Sequence, residues 1–296
     1  MRFGLCCMFK EQPIKFSITT ARSLSGKPRS ENLKKLSLLC LNNARSLLQA
    51  FKWCHENGIG DFRIVSQILP LKTHPEAGYE IRDLPDYDEI VATFRSCGDF
   101  SRKNNFRSSL HPDQFVILSS PDQKVVANSL AEIEYQTEIA QLTGADVINI
   151  HGGGAYGDKS SALERFAGNF RKLSPEARSR LTLENDDKIY TPSDLLPLCK
   201  KLKIPLVYDV HHHRCLPDSL TEKQATEAAI ATWNREPMFH VSSPRDGWQG
   251  PKPSNHHDFI AADDFPAFWK KLDITVEIEA KAKEIAVKKL IEDLKT

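Results

Sequence analysis

Six residues able to bind a hard cation recur through this chain, each closing or lying within a short apolar run. His111 follows Ser-Ser-Leu, His151 follows Ile-Asn-Ile, Glu184 closes Leu-Thr-Leu-Glu, and Asp209 closes Leu-Val-Tyr-Asp. His240 lies within Met-Phe-His-Val, and Glu279 ends Val-Glu-Ile-Glu. Taken singly, such a histidine reads as an ordinary hydrogen-bonded residue and such a carboxylate as a helix cap. Taken together they do not. Charges that face inward are costly to desolvate unless paired or metal-bound, and clustered carboxylates repel without cations between them. A centre of several divalent ions meets both demands. Further histidines thicken the set: His211, His212 and His213 follow Asp209, and His256 and His257 lie beyond the His240 run. The triple run reads as a loop in which at least one imidazole is simply solvated. A ligand three residues after an acidic strand end is nevertheless well placed to bridge adjacent ions. Imidazole with carboxylate suits manganese or zinc, and iron also accepts such ligands.

The elements that must position these residues alternate along the chain. Strands are expected at 2–7, 61–65, 106–110, 146–150, 181–184, 205–209, 237–241 and 274–279. Between them the apolar spacing predicts helices over 32–55, 86–104, 128–142, 160–172, 193–202 and 221–232. Strands alternating with helices favour a parallel sheet covered by helices. About eight such units in a chain not far above 250 residues predict closure into a (β/α)8 TIM-type barrel, one domain over residues 1–296. In such a barrel the carboxyl ends of the strands converge on one face, so ligands distant in sequence would meet in one cup.

The composition allows this and excludes other classes. Of 296 residues, 40% are hydrophobic and 27% charged, which suffices for a full core. Forty basic residues stand against 39 acidic ones, so bulk charge gives no support to polyanion binding, and any nucleic-acid contact must be local. The seven cysteines are odd in number and form no C-x-x-C, which argues against a disulfide framework or a zinc knuckle and for buried thiols in a reducing cytoplasm. The apolar stretch from Phe3 to Phe9 is cut off by Lys10 and Glu11, too short for a signal peptide, and no run approaches a membrane span. A cytoplasmic monomer is the expectation.

The segments Thr-His-Pro (73–75), SLHPDQF (109–115), INIHGGGAYGDK (148–159), LTLENDD (181–187), VYDVHHH (207–213) and EIEAKAKE (277–284) resemble, in order, those of the ultraviolet-damage endonuclease family. The resemblance covers most of the chain, and LENDD together with HGGGAYGDK is its most specific part. It implies a barrel related to endonuclease IV, holding two or three divalent ions, Mn2+ foremost and Zn2+ next, and acting on damaged double-stranded DNA. His111, His151, Glu184 and Glu279 would hold one ion. Asp209 and His240, bridged by Glu184 and Glu279, would hold a second. His212 and His257, with Asp209, would help hold a third. Glu184 and Glu279 are thereby implied as catalytic, and His74 would position the phosphate or the attacking water. The reaction implied is hydrolysis of the phosphodiester immediately 5′ of the lesion, leaving a 3′-hydroxyl and a 5′-phosphate.

Two positions depart from the pattern. The family has a lysine, thought to be a modified ligand of the third ion, where this chain has Met238, a poor ligand for hard cations. The family's glutamine–tyrosine pair that probes damaged bases is Gln114-Phe115, which keeps a stacking surface and so a wedge role. The N-terminal aromatic of some members is Leu5. Candidate phosphate contacts are Arg102, Lys103, Arg107, Lys124 and Lys159, together with the backbone around Gly153 in the Gly-Gly-Gly run, which lets a phosphate approach closely. Three alternatives share parts of this pattern: an abasic-site endonuclease like endonuclease IV, a sugar epimerase of the xylose-isomerase kind, and a protein that binds damage without cutting. The extra histidines argue against the epimerase, which holds a single ion, and the matched ligand positions against a silent binder.

Overall fold

The computed structural model describes residues 1–295. Its eight strands, β1 (Arg2–Cys6), β2 (Asp61–Ile64), β3 (Arg107–Leu110), β4 (Val147–His151), β5 (Leu181–Glu184), β6 (Leu206–Asp209), β7 (Met238–Val241) and β8 (Thr275–Ile278), pair in sequence order, all parallel, and β8 closes on β1. Helices α1 (Arg29–Glu56), α2 (Tyr87–Asn104), α3 (Gln123–Thr143), α4 (Lys159–Phe170), α5 (Pro175–Arg180), α6 (Pro192–Leu202), α7 (Val210–Cys215), α8 (Glu222–Ile230) and α9 (Glu284–Asp293) surround it. The TIM-type barrel expected from the alternation is the fold. Strands covered by helices outside and filled by side chains inside are buried on both faces, and β2 through β8 are buried over nearly their whole length.

The helices start where the chain supplies caps. Asp122 accepts the Lys124 backbone N–H and opens α3 five residues before the periodicity suggested. Thr191 with Asp194 and Pro192 opens α6, and Thr221 with Gln224 opens α8, each as a reciprocal capping box. Helix α5, absent from the sequence expectation, follows the Ser174 cap with Pro175 at its first position. The histidine run is a second correction. It is not a loop but the helix α7, with His211 and His213 buried. Asp209 itself caps that helix, accepting the His212 backbone N–H at 2.8 Å, so the strand-end carboxylate and the helix it opens are fixed together.

The two ends of the barrel differ in chemistry. At the amino end Arg107 donates to both oxygens of Asp146 at 2.9 and 3.0 Å and to Thr275, while Arg2 pairs with Glu236 at 3.0 Å. This corrects the placement of Arg107, which is buried in that network on the face opposite the cup and cannot meet DNA there. Arg102 and Lys103, in the last turn of α2 just before β3, belong to the same far end. In a βα unit, residues before a strand lie at the bottom and residues after it at the top. Among the described residues no helix is long and apolar enough to cross a membrane.

Candidate metal centre

Strand register brings the expected ligands together. His151 on β4 lies beside Glu184 on β5, and Asp209 on β6 beside His240 on β7. Glu184, 1% exposed, is the hub. Its Oε2 is 3.0 Å from His111 Nε2 and 3.8 Å from His151 Nε2; its Oε1 is 2.9 Å from His240 Nδ1 and 3.5 Å from His212 Nδ1. Asn149, on β4, also donates to Glu184 Oε2, and Thr182 donates to Asn149 behind it. Asn185 clasps the Asp209 backbone, donating to its carbonyl and accepting its N–H. Glu279, just past β8, lies with its Oε1 3.5 Å from His240 Nδ1 and 2.6 Å from Arg63 Nη1.

His111, His151, Glu184, His212 and Glu279 line a cup of about 470 Å³ at the carboxyl end of the barrel, whose walls also include Gln114, Gly153 and Asp186. Their fit to divalent ions can be tested on the donors themselves. His111, His151 and Glu184 offer ligand atoms within 4.8 Å of one another, and so do Glu184, Asp209 and His212. Asp209 Oδ2 and His151 Nδ1 are buried without a hydrogen-bond partner, a condition that an ion or its bound shell relieves. The donor set is nitrogen and oxygen throughout, as manganese and zinc accept. The residues fit.

Burial pushes Glu184 towards neutrality, but His240, His151 and His111 overcome it and hold the carboxyl well below its ordinary range. Burial likewise opposes charge on His240, yet Glu184 raises it well above the ordinary imidazole value. For His212 burial is outweighed by Asp209, Glu184 and Glu279, and the ring is pushed up to about 9. His151 goes the other way, lowered by burial that Glu184 only partly offsets.

Several expected residues are placed differently. His257 is turned away: it is exposed, and its Nδ1 accepts the Phe259 N–H at 2.9 Å in a separate cavity beside Trp248. The adjacent His256 faces the cup, its Nδ1 3.7 Å from Glu279 Oε2 and its ring 5.2 Å from that of His211. His256 is bridged to Pro244, and the two adjacent histidines turn to different spaces, His256 to the cup and His257 to the separate cavity. His74 also lies outside the cup. Its Nδ1 accepts the backbone N–H groups of Glu76 and Ala77 at 3.2 Å, and its ring lines a neighbouring cavity of about 350 Å³ with Asp113 and Phe115. The loop after β3 divides the two spaces, with Gln114 on the cup side and Phe115, 73% exposed, on the other. Leu5 is fully buried in the core. Met238 is buried too.

Gly153 lines the cup at φ +83°, where a Cβ would lie 2.6 Å from Ser119 Oγ and 2.7 Å from Ile117 Cγ2. Only glycine fits that turn. Lys159, at the start of α4, pairs with Asp194 at 2.8 Å and remains half exposed on the same face.

Sequence reasoning missed Arg63 and Glu277. Arg63, on β2, is a buried part of the cup's lining and donates to Glu277 through Nε at 2.6 Å. Both had a signal: each is a charged residue within a short strand, and Glu277 is two residues before Glu279, hence on the same face.

A closed parallel eight-stranded barrel is a broad class, and several solved structures share this fold. Endonuclease IV from Thermus thermophilus superposes with a TM-score of 0.63 at 14% identity over 100% of this chain and 98% of that one. D-psicose 3-epimerase from Clostridium cellulolyticum does so with 0.58 at 13%, over 100% and 98%. Sequence separates the members. The profile of the UV-endonuclease UvdE family matches residues 1–296, and the chain belongs to that family of DNA-repair endonucleases. It is similar to a UV DNA damage endonuclease of Bacillus velezensis, 34% identical over 99% of this chain and 93% of that protein. It is also similar to SacUVDE, whose crystal structure superposes with a TM-score of 0.87 at 30% identity, over 100% and 98% of the two chains.

Proposed function

We propose that this protein hydrolyses the phosphodiester immediately 5′ of ultraviolet photoproducts in duplex DNA, leaving 3′-hydroxyl and 5′-phosphate ends. Two or three divalent ions would work in its cup, Mn2+ foremost and Zn2+ next. The observation that carries the proposal is Glu184, a buried carboxylate ringed by four histidines at 2.9 to 3.8 Å. Relatives named UV DNA damage endonuclease supply the substrate class.

His111, His151, Glu184 and Glu279 would hold one ion; Asp209 and His240 would hold a second, with the two glutamates bridging. His212 and His256, with Asp209, would hold a third. Such ions supply a Lewis acid for phosphoryl oxygens and lower the pKa of a coordinated water to about 7. The rest is done by the chain. Arg63 fixes Glu279 through its ion pair, and Asn149 fixes Glu184. The Gly153 turn keeps the wall of the cup free of side chain, so a DNA phosphate can approach the backbone closely. Phe115 stands exposed beside the cup, a wedge that can enter a weakened base step, while Gln114 faces the cup. A damaged step costs less to unstack, and lesion choice follows from that difference. Since His74 Nδ1 accepts backbone N–H groups, the proton of the neutral ring sits on Nε2. We therefore assign His74 to a DNA contact next to Phe115 rather than to the attacking water. Lys159 and Lys124 stand at the same end for local phosphate contact.

The test is incubation with Mn2+ and duplexes carrying one thymine dimer, one abasic site or no lesion, with Glu184→Gln as control. Cleavage just 5′ of the dimer, absent in the variant, is expected. Cutting of the abasic duplex alone would favour an endonuclease IV-like activity. Absence of cutting with metal bound would overturn the nuclease reading.

A further inference from the structure

Two of the large side chains that stand exposed, Phe115 and Tyr156, belong to the loops that follow β3 and β4. The two loops interlock. Gly153 is pressed against Ile117 and Ser119, and Ser119 Oγ donates to the Gly154 carbonyl at 3.4 Å. From α4, Arg165 Nε donates to the Ser119 carbonyl at 2.9 Å and Asn169 Nδ2 to that of Leu118 at 2.8 Å. Gln114 and Gly153, one from each loop, line the cup. Phe115 has its place in the proposed reaction as a wedge. Tyr156 has none.

The backbone at Tyr156 works against its side chain. Its φ is +51°, in the left-handed region that a bulky residue rarely adopts, although the flanking Gly153 and Gly157 show that glycine serves such turns here. A conformation of this kind persists only where its surroundings hold it, and it gathers at functional sites. The ring lies against Gly154, where a Cβ would come within 3.0 Å of its Cε2, and the Arg165 guanidinium stands 5.6 Å from its centre. Yet the residue remains 48% exposed. Arg165 is half-buried, held through Nε, and among the described residues it forms no ion pair.

We propose that Tyr156 and Arg165 form a nucleotide platform at the rim of the cup, the ring stacking on a base of the bound DNA and the guanidinium pairing with an adjacent phosphate.

The inference deepens the reading of the protein as a DNA endonuclease and rests on it. With a net charge of +1, the chain must bind DNA through local contacts. An aromatic ring offers a surface to any base, whatever its identity, and a guanidinium with free Nη groups matches a phosphate. The platform continues the wall of the cup, since Tyr156 follows Gly153 by three residues, and it shares one rigid unit with the Phe115 wedge. A base displaced when the wedge enters the stack thus finds a second aromatic surface along the same wall.

Binding to a duplex with one thymine dimer is measured by fluorescence anisotropy, in protein carrying Glu184→Gln so that the DNA stays whole. Tyr156→Ala is expected to weaken binding about 10-fold or more, and Tyr156→Phe to stay within about threefold. Tyr156→Gly suits the left-handed backbone, so it should unfold at no lower urea concentration than the parent and yet bind as weakly as Tyr156→Ala. A structural role would instead lower its stability. With 2-aminopurine placed in turn at the nucleotides flanking the dimer, one position should be quenched on binding by the parent and by Tyr156→Phe, but not by Tyr156→Ala. Arg165→Gln should reduce the slope of log affinity against log salt by about 0.7–0.9, the share of one phosphate. Tyr156→Ala and Tyr156→Gly both binding within twofold of the parent would overturn the platform and leave the nuclease reading intact. A parent protein that binds no duplex would overturn both.

Discussion

Replacing Asp218 by asparagine should weaken the protein at neutral pH and loosen one side of the cup. Asp218 ties α7, which carries His212, to the start of α6. Its Oδ1 accepts from His213 Nε2 at 3.0 Å and from the Leu220 N–H at 2.7 Å, and its Oδ2 accepts the Ser193 N–H at 2.8 Å. Burial pushes this carboxyl up, but the two backbone N–H groups and the His213 ring outweigh it, and the group is held down to about 2. An unfolded aspartate titrates near 3.9, so the difference corresponds to about 2.6 kcal/mol of stability at pH 7. The folded value is depressed. The contribution is therefore complete above the unfolded value and is lost as pH falls through about 2, with roughly half remaining at pH 3. Asp218→Asn retains one acceptor and turns a donor towards an N–H. Urea unfolding should show a deficit of about 2–3 kcal/mol at pH 7, and about half that at pH 3. Zn2+ affinity should fall with it, because His212 shares the helix. Equal deficits at both pH values, or less than about 0.5 kcal/mol at pH 7, would refute the electrostatic account and leave only packing.

Asp61 should respond in the opposite sense. It is fully buried, neither oxygen has a hydrogen-bond partner, and burial and the nearby Glu277 raise its pKa well above normal. A raised folded value means stability that is present below about pH 4 and lost as pH rises, so Asp61→Asn should raise the urea midpoint at pH 7 and lose that advantage in acid. An unchanged midpoint at pH 7 would show that the carboxylate is compensated. Loading the cup with Zn2+ at pH 7 should release about two protons, from His212 and His240, since ligation needs neutral rings. Apparent affinity should then rise with pH towards about 9; calorimetry in buffers of different ionisation heat counts the protons, and none released would contradict the protonated cup. Gly153→Ala should cost about 2–4 kcal/mol, from the left-handed φ and from contact with Ser119 and Ile117. A urea curve matching wild type would show that the loop rearranges freely.

Much of this molecule was legible in its order of residues. The alternation of short apolar runs with helical spacing determined a closed parallel barrel, because burial on both faces and helical amphipathicity are local patterns. The ligand types at strand ends determined a polar cup, because the barrel's direction carries every strand end to one face. Other features arise only when strands are packed side by side. Whether His256 or His257 turns inward depends on the bridge to Pro244, and a shift of one residue reverses the answer. Arg107 and His74 read as site residues until the fold put one beneath the barrel with Asp146 and the other in a neighbouring cavity. The partnership of Arg63, Glu277 and His240 joins three strands through the closed interior. No local pattern encodes it, because it exists only once the sheet has closed and desolvation forces each buried charge to find a partner.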